Sequence, residues 1–172
     1  TGWPDRGPVG PFGAYSDFVA AHYLLIGVLA ALDPRERTGQ GQCVLTSLFE
    51  STVQFVAPAL MDYLVNGRER TRAGNWDQDA CPHGVYQCRG EERWCVIAVT
   101  SQEEWESLCR VVNQPWTLDP RFARLEGRQR HREELDRLLS RWTLEQSTEE
   151  VAERLQGAGV PSGIVQTPPE LF

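Results

Sequence analysis

The stretch whose reading decides the fold is Tyr15-Ser16-Asp17-Phe18-Val19-Ala20-Ala21-His22-Tyr23-Leu24-Leu25-Ile26-Gly27-Val28-Leu29-Ala30-Ala31-Leu32. Ala, Leu and Ile dominate it, and apolar residues fall nearly all round the helical wheel. The pattern predicts a buried helix from about Ser16 to Leu32. Ser16 is of the type that caps a helix N-terminus. Asp17 falls in the first turn, where free N–H groups and the helix dipole favour a carboxylate. Asp33-Pro34 is expected to end the helix, because a residue before proline is pushed out of the helical region. A single acid thus stands at the mouth of an apolar helix. Physical chemistry alone leaves it two roles, a helix-end charge or a reactive group.

Outward from this helix, Thr1 to Gly13 is rich in glycine and proline and reads as an extended loop. Arg37-Thr38-Gly39-Gln40-Gly41-Gln42 reads as a tight helix-to-strand connection, without a Walker pattern or a G-x-G-x-x-G. Cys43 to Ser47 reads as a short buried strand. From Leu48 to Val65 the helical period returns, with Phe49, Val53, Val56, Leu60 and Leu64 on or near one face. Pro58 is a kink position, and Asn66-Gly67 a terminator. Helix, turn, strand, helix is the rhythm of an α/β layer. One strand makes no sheet, so its partners are expected outside this part, and the chain is expected to be a piece of a longer one.

Arg68 to Gly84 is polar and irregular. It reads either as a solvated connection or as a loop over a site, with Asn75 and His83 as polar contacts. Val85–Cys88 and Arg93–Val99 alternate as a hairpin around Arg89-Gly90-Glu91-Glu92. Ser101 caps a helix predicted over Gln102–Val112, with Glu103 and Glu104 in its first turn. Asn113–Arg124 is expected as a loop. Helices follow at about Gln129–Trp142 and Thr148–Gln156, the second opened by a Ser147/Glu150 capping box. Val160–Gln166 reads as a last strand, and Pro168–Phe172 begins another helix. The organisation expected is therefore residues 1–70 as one domain, 71–84 as a linker, and 85–172 as a small α+β domain.

Composition narrows the function. The 172 residues are 41% hydrophobic, enough for a core. A formal net charge of -7 argues against a nucleic-acid surface or an anionic membrane. There is no Lys, so lysine Schiff-base chemistry is excluded within this chain. Cys81, Cys88 and Cys95 are evenly spaced near His83, a set that could in principle ligate zinc. With no C-x-x-C pair, and with Cys88 and Cys95 inside strand-like runs, buried free thiols and no metal are expected. Free thiols fit a reducing cytoplasm, and no signal peptide is read at the opening. The apolar run Phe18–Leu32 is shorter than the roughly 20 residues a membrane span needs.

The order of the motifs adds a resemblance. Thr1-Gly2-x-Pro4-Asp5, Asp17 and Gly27 in an apolar helix, Leu29-Ala30-Ala31-Leu32, Arg37-Thr38-Gly39-Gln40-Gly41-Gln42 and Ser47-x-x-Glu50 resemble the class III CoA-transferase family. So do Arg72-Ala73-Gly74-Asn75, Pro82-His83-Gly84-Val85-Tyr86-Gln87-Cys88, Asp119-x-Arg121-Phe122 and Ala158-Gly159-Val160-Pro161. The resemblance implies the end of a Rossmann-like large domain followed by a small α+β domain. It implies that CoA moves between an acyl-CoA thioester and a small carboxylic acid, with Asp17 as nucleophile. Asn75, His83 and Gly84 are implied as substrate-binding residues. It implies no cofactor beyond the CoA thioester as substrate, and a homodimer for the full-length protein. Oxalate-type members carry a glycine run where this chain has Asp77-Gln78-Asp79-Ala80-Cys81, so a different acyl specificity is expected. His22, five residues beyond Asp17, lies off that residue's helical face. The competing readings are an acyl-CoA isomerase or racemase of the same fold, and a non-catalytic domain of a tandem protein; the isolated fragment is expected to be inactive.

Overall fold

The computed structural model describes residues 2–10 and 13–171. Thr1, Pro11 and Phe12 of the expected opening loop, and Phe172 of the expected last helix, lie outside them. The chain divides into two compact units, Thr1–Arg72 and Ala73–Phe172.

The first unit is helical among the described residues. Helix α1 spans Tyr15–Thr38 and runs straight through the expected stop, with Pro34 inside it. Proline costs one intrahelical bond. The last turns are held instead by an Arg37–Asp33 ion pair at 2.5 Å and by the Thr38 hydroxyl donating to the Pro34 carbonyl at 2.8 Å. Gly39 ends the helix at φ +72°, its N–H on the Arg35 carbonyl. The cap position is Ala14 rather than Ser16, and no side chain caps it. Tyr15 meets Phe55 edge-on at 5.7 Å and fixes this end of α1.

The buried helix expected here is largely exposed: in α1 only Val19 and Ala20 are buried, while Leu25, Ile26 and Leu29 are 56–61% exposed. An apolar stripe is buried only where the chain supplies a second surface, and this unit supplies little. By length and composition alone α1 is apolar and long enough to cross a membrane, a test that soluble core helices also pass.

Residues 43–47 form no strand, against expectation, and Leu45 is 90% exposed. A strand needs a neighbour to satisfy its backbone, and none pairs with it among the described residues. The segment does cross α1 closely: a Cβ on Gly27 would stand 2.9 Å from the Val44 Cγ1. Ser47 caps α2, Leu48–Val53, by accepting from the Glu50 N–H. Pro58 splits the expected long helix, leaving a 3₁₀ turn at Gln54–Val56 and then α3, Ala57–Asn66.

The second unit holds a three-stranded antiparallel sheet in the order β1-β2-β3. Strand β1, His83–Gln87, pairs with β2, Trp94–Ala98, from His83↔Ala98 to Gln87↔Trp94. Strand β3, Ser162–Ile164, pairs with the other edge of β2, from Cys95↔Ile164 to Ile97↔Ser162. One face carries Tyr86, Cys95 and Ile97 into the core, while Val85 and Val96 on the other are about two-fifths exposed. Against the covered face lie α4 (Gln102–Val112), α6 (Arg132–Leu144) and α7 (Thr148–Gly157), contributing Trp105, Leu108, Leu135, Leu139, Val151 and Leu155. Both α4 and α7 open on complete capping boxes. The helix expected from Gln129 is two, α5 (Leu125–Arg130) and α6, broken at His131. Ala80–Pro82, read as linker, are buried, and Cys81 and Pro82 exchange backbone bonds with Val99. His83 and Gly84 already belong to β1.

Candidate functional site

Asp17 lies in the first turn of α1, its N–H on the Ala14 carbonyl at 3.0 Å. Its carboxylate is exposed and makes no hydrogen bond or ion pair among the described residues. With no side-chain cap on the helix, the first-turn N–H groups leave a partial positive charge beside this acid. The carboxyl group is exposed and open to an electrophile. Nearby, His22 Nδ1 lies 2.6 Å from the Phe18 carbonyl. A carbonyl only accepts, so Nδ1 carries the proton and Nε2 of the neutral ring keeps its lone pair.

The other three expected site residues sit together in the second unit. A turn with Gly74 at φ +59° and a Trp76 N–H to Ala73 carbonyl bond presents Asn75. His83 Nδ1 donates to the Asn75 carbonyl at 2.6 Å, which fixes the same tautomer as in His22. Gly84 is next to it. A Cβ there would lie 3.1 Å from the Tyr86 hydroxyl oxygen, so glycine leaves room for the tyrosine ring along the strand. That hydroxyl donates to Asp136 Oδ1 at 2.7 Å. Burial raises the Asp136 pKa, against the Tyr86 bond and Arg132.

Sequence reading missed Asp136. Its signal is an acid beside the apolar stripe of Leu135 and Leu139 on α6. It also missed Arg128, a buried guanidinium, and Trp76, over whose ring the Arg132 guanidinium lies at 4.9 Å.

The thiols offer little chemistry. Cys81, Cys88 and Cys95 are free and buried. Burial pushes the Cys81 thiol up to about 11 and raises Cys88 and Cys95 as well. Neutral thiols are poor nucleophiles and poor ligands. Among the described residues no three His, Cys, Asp or Glu side chains are grouped to hold a metal ion.

An α/β chain with an open acid at a helix start and a small antiparallel domain has known counterparts. It superposes on the crystal structure of a CaiB/BaiF family protein from Brucella suis with a TM-score of 0.88 at 28% identity, covering 100% of this chain and 45% of that one. The profile of CoA-transferase family III matches residues 1–172, and the chain belongs to that family. It is 32% identical over 173 residues to succinyl-CoA–D-citramalate CoA-transferase of Chloroflexus aurantiacus, spanning 100% of this chain and 43% of that protein. It is likewise 32% identical over 174 residues to succinyl-CoA:mesaconate CoA-transferase of Haloarcula hispanica, spanning 100% and 42%. The chain thus spans less than half the length of these relatives.

Proposed function

We propose that the protein to which this chain belongs is a cytoplasmic, homodimeric CoA-transferase, with Asp17 as its covalent relay. The Asp17 carboxylate attacks the carbonyl carbon of an acyl-CoA, the C–S bond breaks, and CoA thiolate leaves a mixed anhydride. The thiolate then attacks the aspartyl carbonyl, releasing the donor acid and leaving an aspartyl-CoA thioester. An acceptor carboxylate attacks that thioester, and the displaced thiolate takes the acceptor's acyl carbon, regenerating Asp17. Two easier steps replace a difficult exchange, and the activated bond is not spent on water. The only cofactor-like group is the CoA thioester itself, which is substrate.

The observation that carries this reading is the exposed, unpartnered Asp17 carboxylate in the first turn of α1. The family match along the whole chain supports it. Asn75, His83 and Gly84 are proposed to contact the substrate, with His83 Nε2 as a hydrogen-bond acceptor toward it. The names of the two relatives support succinyl-CoA as donor. The likeness to the Brucella structure supports reading residues 1–70 as the end of a Rossmann-like large domain. The isolated 172 residues are proposed to be inactive.

The test uses the full-length protein, succinyl-CoA and hydroxylamine. Mass spectrometry is expected to find a hydroxamate on Asp17, and Asp17→Asn to lower kcat by about a thousandfold or more. Exchange at the normal rate in that variant would overturn the proposal. Deuterium uptake at the acyl α-carbon without change of carboxylate would point to an isomerase instead.

A further inference from the structure

We infer that the second unit carries a separate binding cleft for a small dianion, of the phosphate or dicarboxylate kind, where α5 passes into α6. The cleft has a volume of about 390 Å³, the size of a small-metabolite site, and its walls include Trp76, Arg130, His131, Arg132, Glu133 and Arg137.

The guanidiniums there are under-used. The Arg130 side chain makes no hydrogen bond or ion pair among the described residues. Arg137 spends only its Nε, on the Glu133 carbonyl at 3.1 Å. Arg132 spends its Nε on the Gln129 carbonyl at 3.2 Å and lies over the Trp76 ring. None of the three is within ion-pair distance of a carboxylate, although the chain carries a net charge of -7. Each guanidinium has five N–H donors, so most of their donors point to no protein acceptor.

The neighbouring acids are largely engaged elsewhere. Both Glu134 oxygens are held by Arg121 at 2.9 Å. Asp136 accepts from the Tyr86 hydroxyl, its charge also facing Arg132. Glu133 also lines the cleft and makes no ion pair among the described residues. An anion with two or more oxygens matches guanidinium forks, and the indole supplies an apolar wall. A single chloride would leave the forks half used. None of this involves Asp17, and the inference stands or falls apart from the transferase reading.

The test is isothermal titration of the chain with inorganic phosphate and with malonate, each against sodium chloride at matched ionic strength. Saturable binding of one equivalent of a dianion is expected. Arg130→Gln and Arg137→Gln, both on exposed side chains, are each expected to weaken it about tenfold with thermal unfolding unchanged. Asp17→Asn is expected to leave it untouched. Phosphate alone would assign a phosphate group, malonate alone a dicarboxylate, and both a compact dianion in general. Absence of saturable binding, equal heats from chloride, or wild-type affinity in both arginine variants would overturn the inference.

Discussion

The Arg128 guanidinium lies over the Trp105 ring, 4.7 Å from its centroid. It is buried without a carboxylate partner, and desolvation lowers its pKa. Its Nε donates to the Cys81 carbonyl at 2.7 Å and its Nη1 to the Phe122 carbonyl at 3.2 Å. One side chain thereby joins the approach to β1, helix α4 and the 3₁₀ turn at Pro120–Phe122.

Arg128→Lys removes the planar fork and the stacked face while keeping the charge. The second unit is expected to lose about 2–3 kcal/mol, the worth of a hydrogen bond to a charged group plus the stack. Of the six tryptophans, all but Trp3 lie in this unit, so urea unfolding followed by indole fluorescence reads it directly. An unchanged midpoint would show that the stack and the fork contribute nothing.

Gly127, next to it, has a different constraint. A Cβ there would stand 2.1 Å from the Arg121 carbonyl oxygen, which belongs to the backbone and has little freedom to move. In an open helix, glycine to alanine stabilises by about 1 kcal/mol. Here the sign should reverse, with Gly127→Ala costing about 1–3 kcal/mol through overpacking. A more stable variant in the same urea experiment would refute the close packing of α5 on that turn.

The second unit was legible because its instructions are local and complete. Ser101/Glu104 and Ser147/Glu150 mark two helix starts, and α4 begins and ends where its pattern says. The three described strands of its sheet pair with one another. The first unit was less so. Pro34 was outvoted by a capped and ion-paired last turn, and residues 43–47 had the composition of a strand but no partner. At the candidate site, Asp17 was readable because a first-turn acid is a local signal. Asp136 and Arg128 were not, since Tyr86 and Cys81, the partners that make their burial tolerable, lie about 50 residues away.

The end of the described chain should respond to acid. Glu170 accepts from the Thr167 N–H and meets Arg93 Nη1 at 2.5 Å, and Arg93 also reaches Glu149 and Thr148. The Thr167 N–H, Arg93 and the Thr167 hydroxyl together bring the Glu170 carboxyl from 4.5 down to about 2. A depressed folded pKa stabilises above the unfolded value, and the contribution is lost as pH falls through the folded one. Thermal unfolding of the native chain should therefore weaken relative to Glu170→Gln between these two values. At neutral pH the variant should melt lower, and near pH 2 the two should converge. Parallel curves would mean that the Arg93 contact adds nothing to the fold.

Burial of Asp136 gives this acid the opposite slope, while its Tyr86 bond works against the burial. Burial raises the folded pKa of Asp136, with the Tyr86 hydroxyl and Arg132 opposing the rise. A raised folded pKa means that the acid's favourable contribution is complete below the unfolded value and is lost as pH climbs through the folded one. Tyr86→Phe deletes the donor that steadies the charged form, so the folded pKa should rise further. The variant is expected to lose about 1.5–3 kcal/mol where Asp136 is ionised and the bond is charge-assisted, and about 0.5–1.5 kcal/mol once Asp136 is protonated. The gap between native chain and variant should thus narrow on acidification. Asp136→Asn, which keeps an acceptor for the hydroxyl without the charge, should flatten that dependence. A gap that stays constant with pH would show that the tyrosine is held by packing over Gly84 alone, and that the carboxylate behind it plays no part.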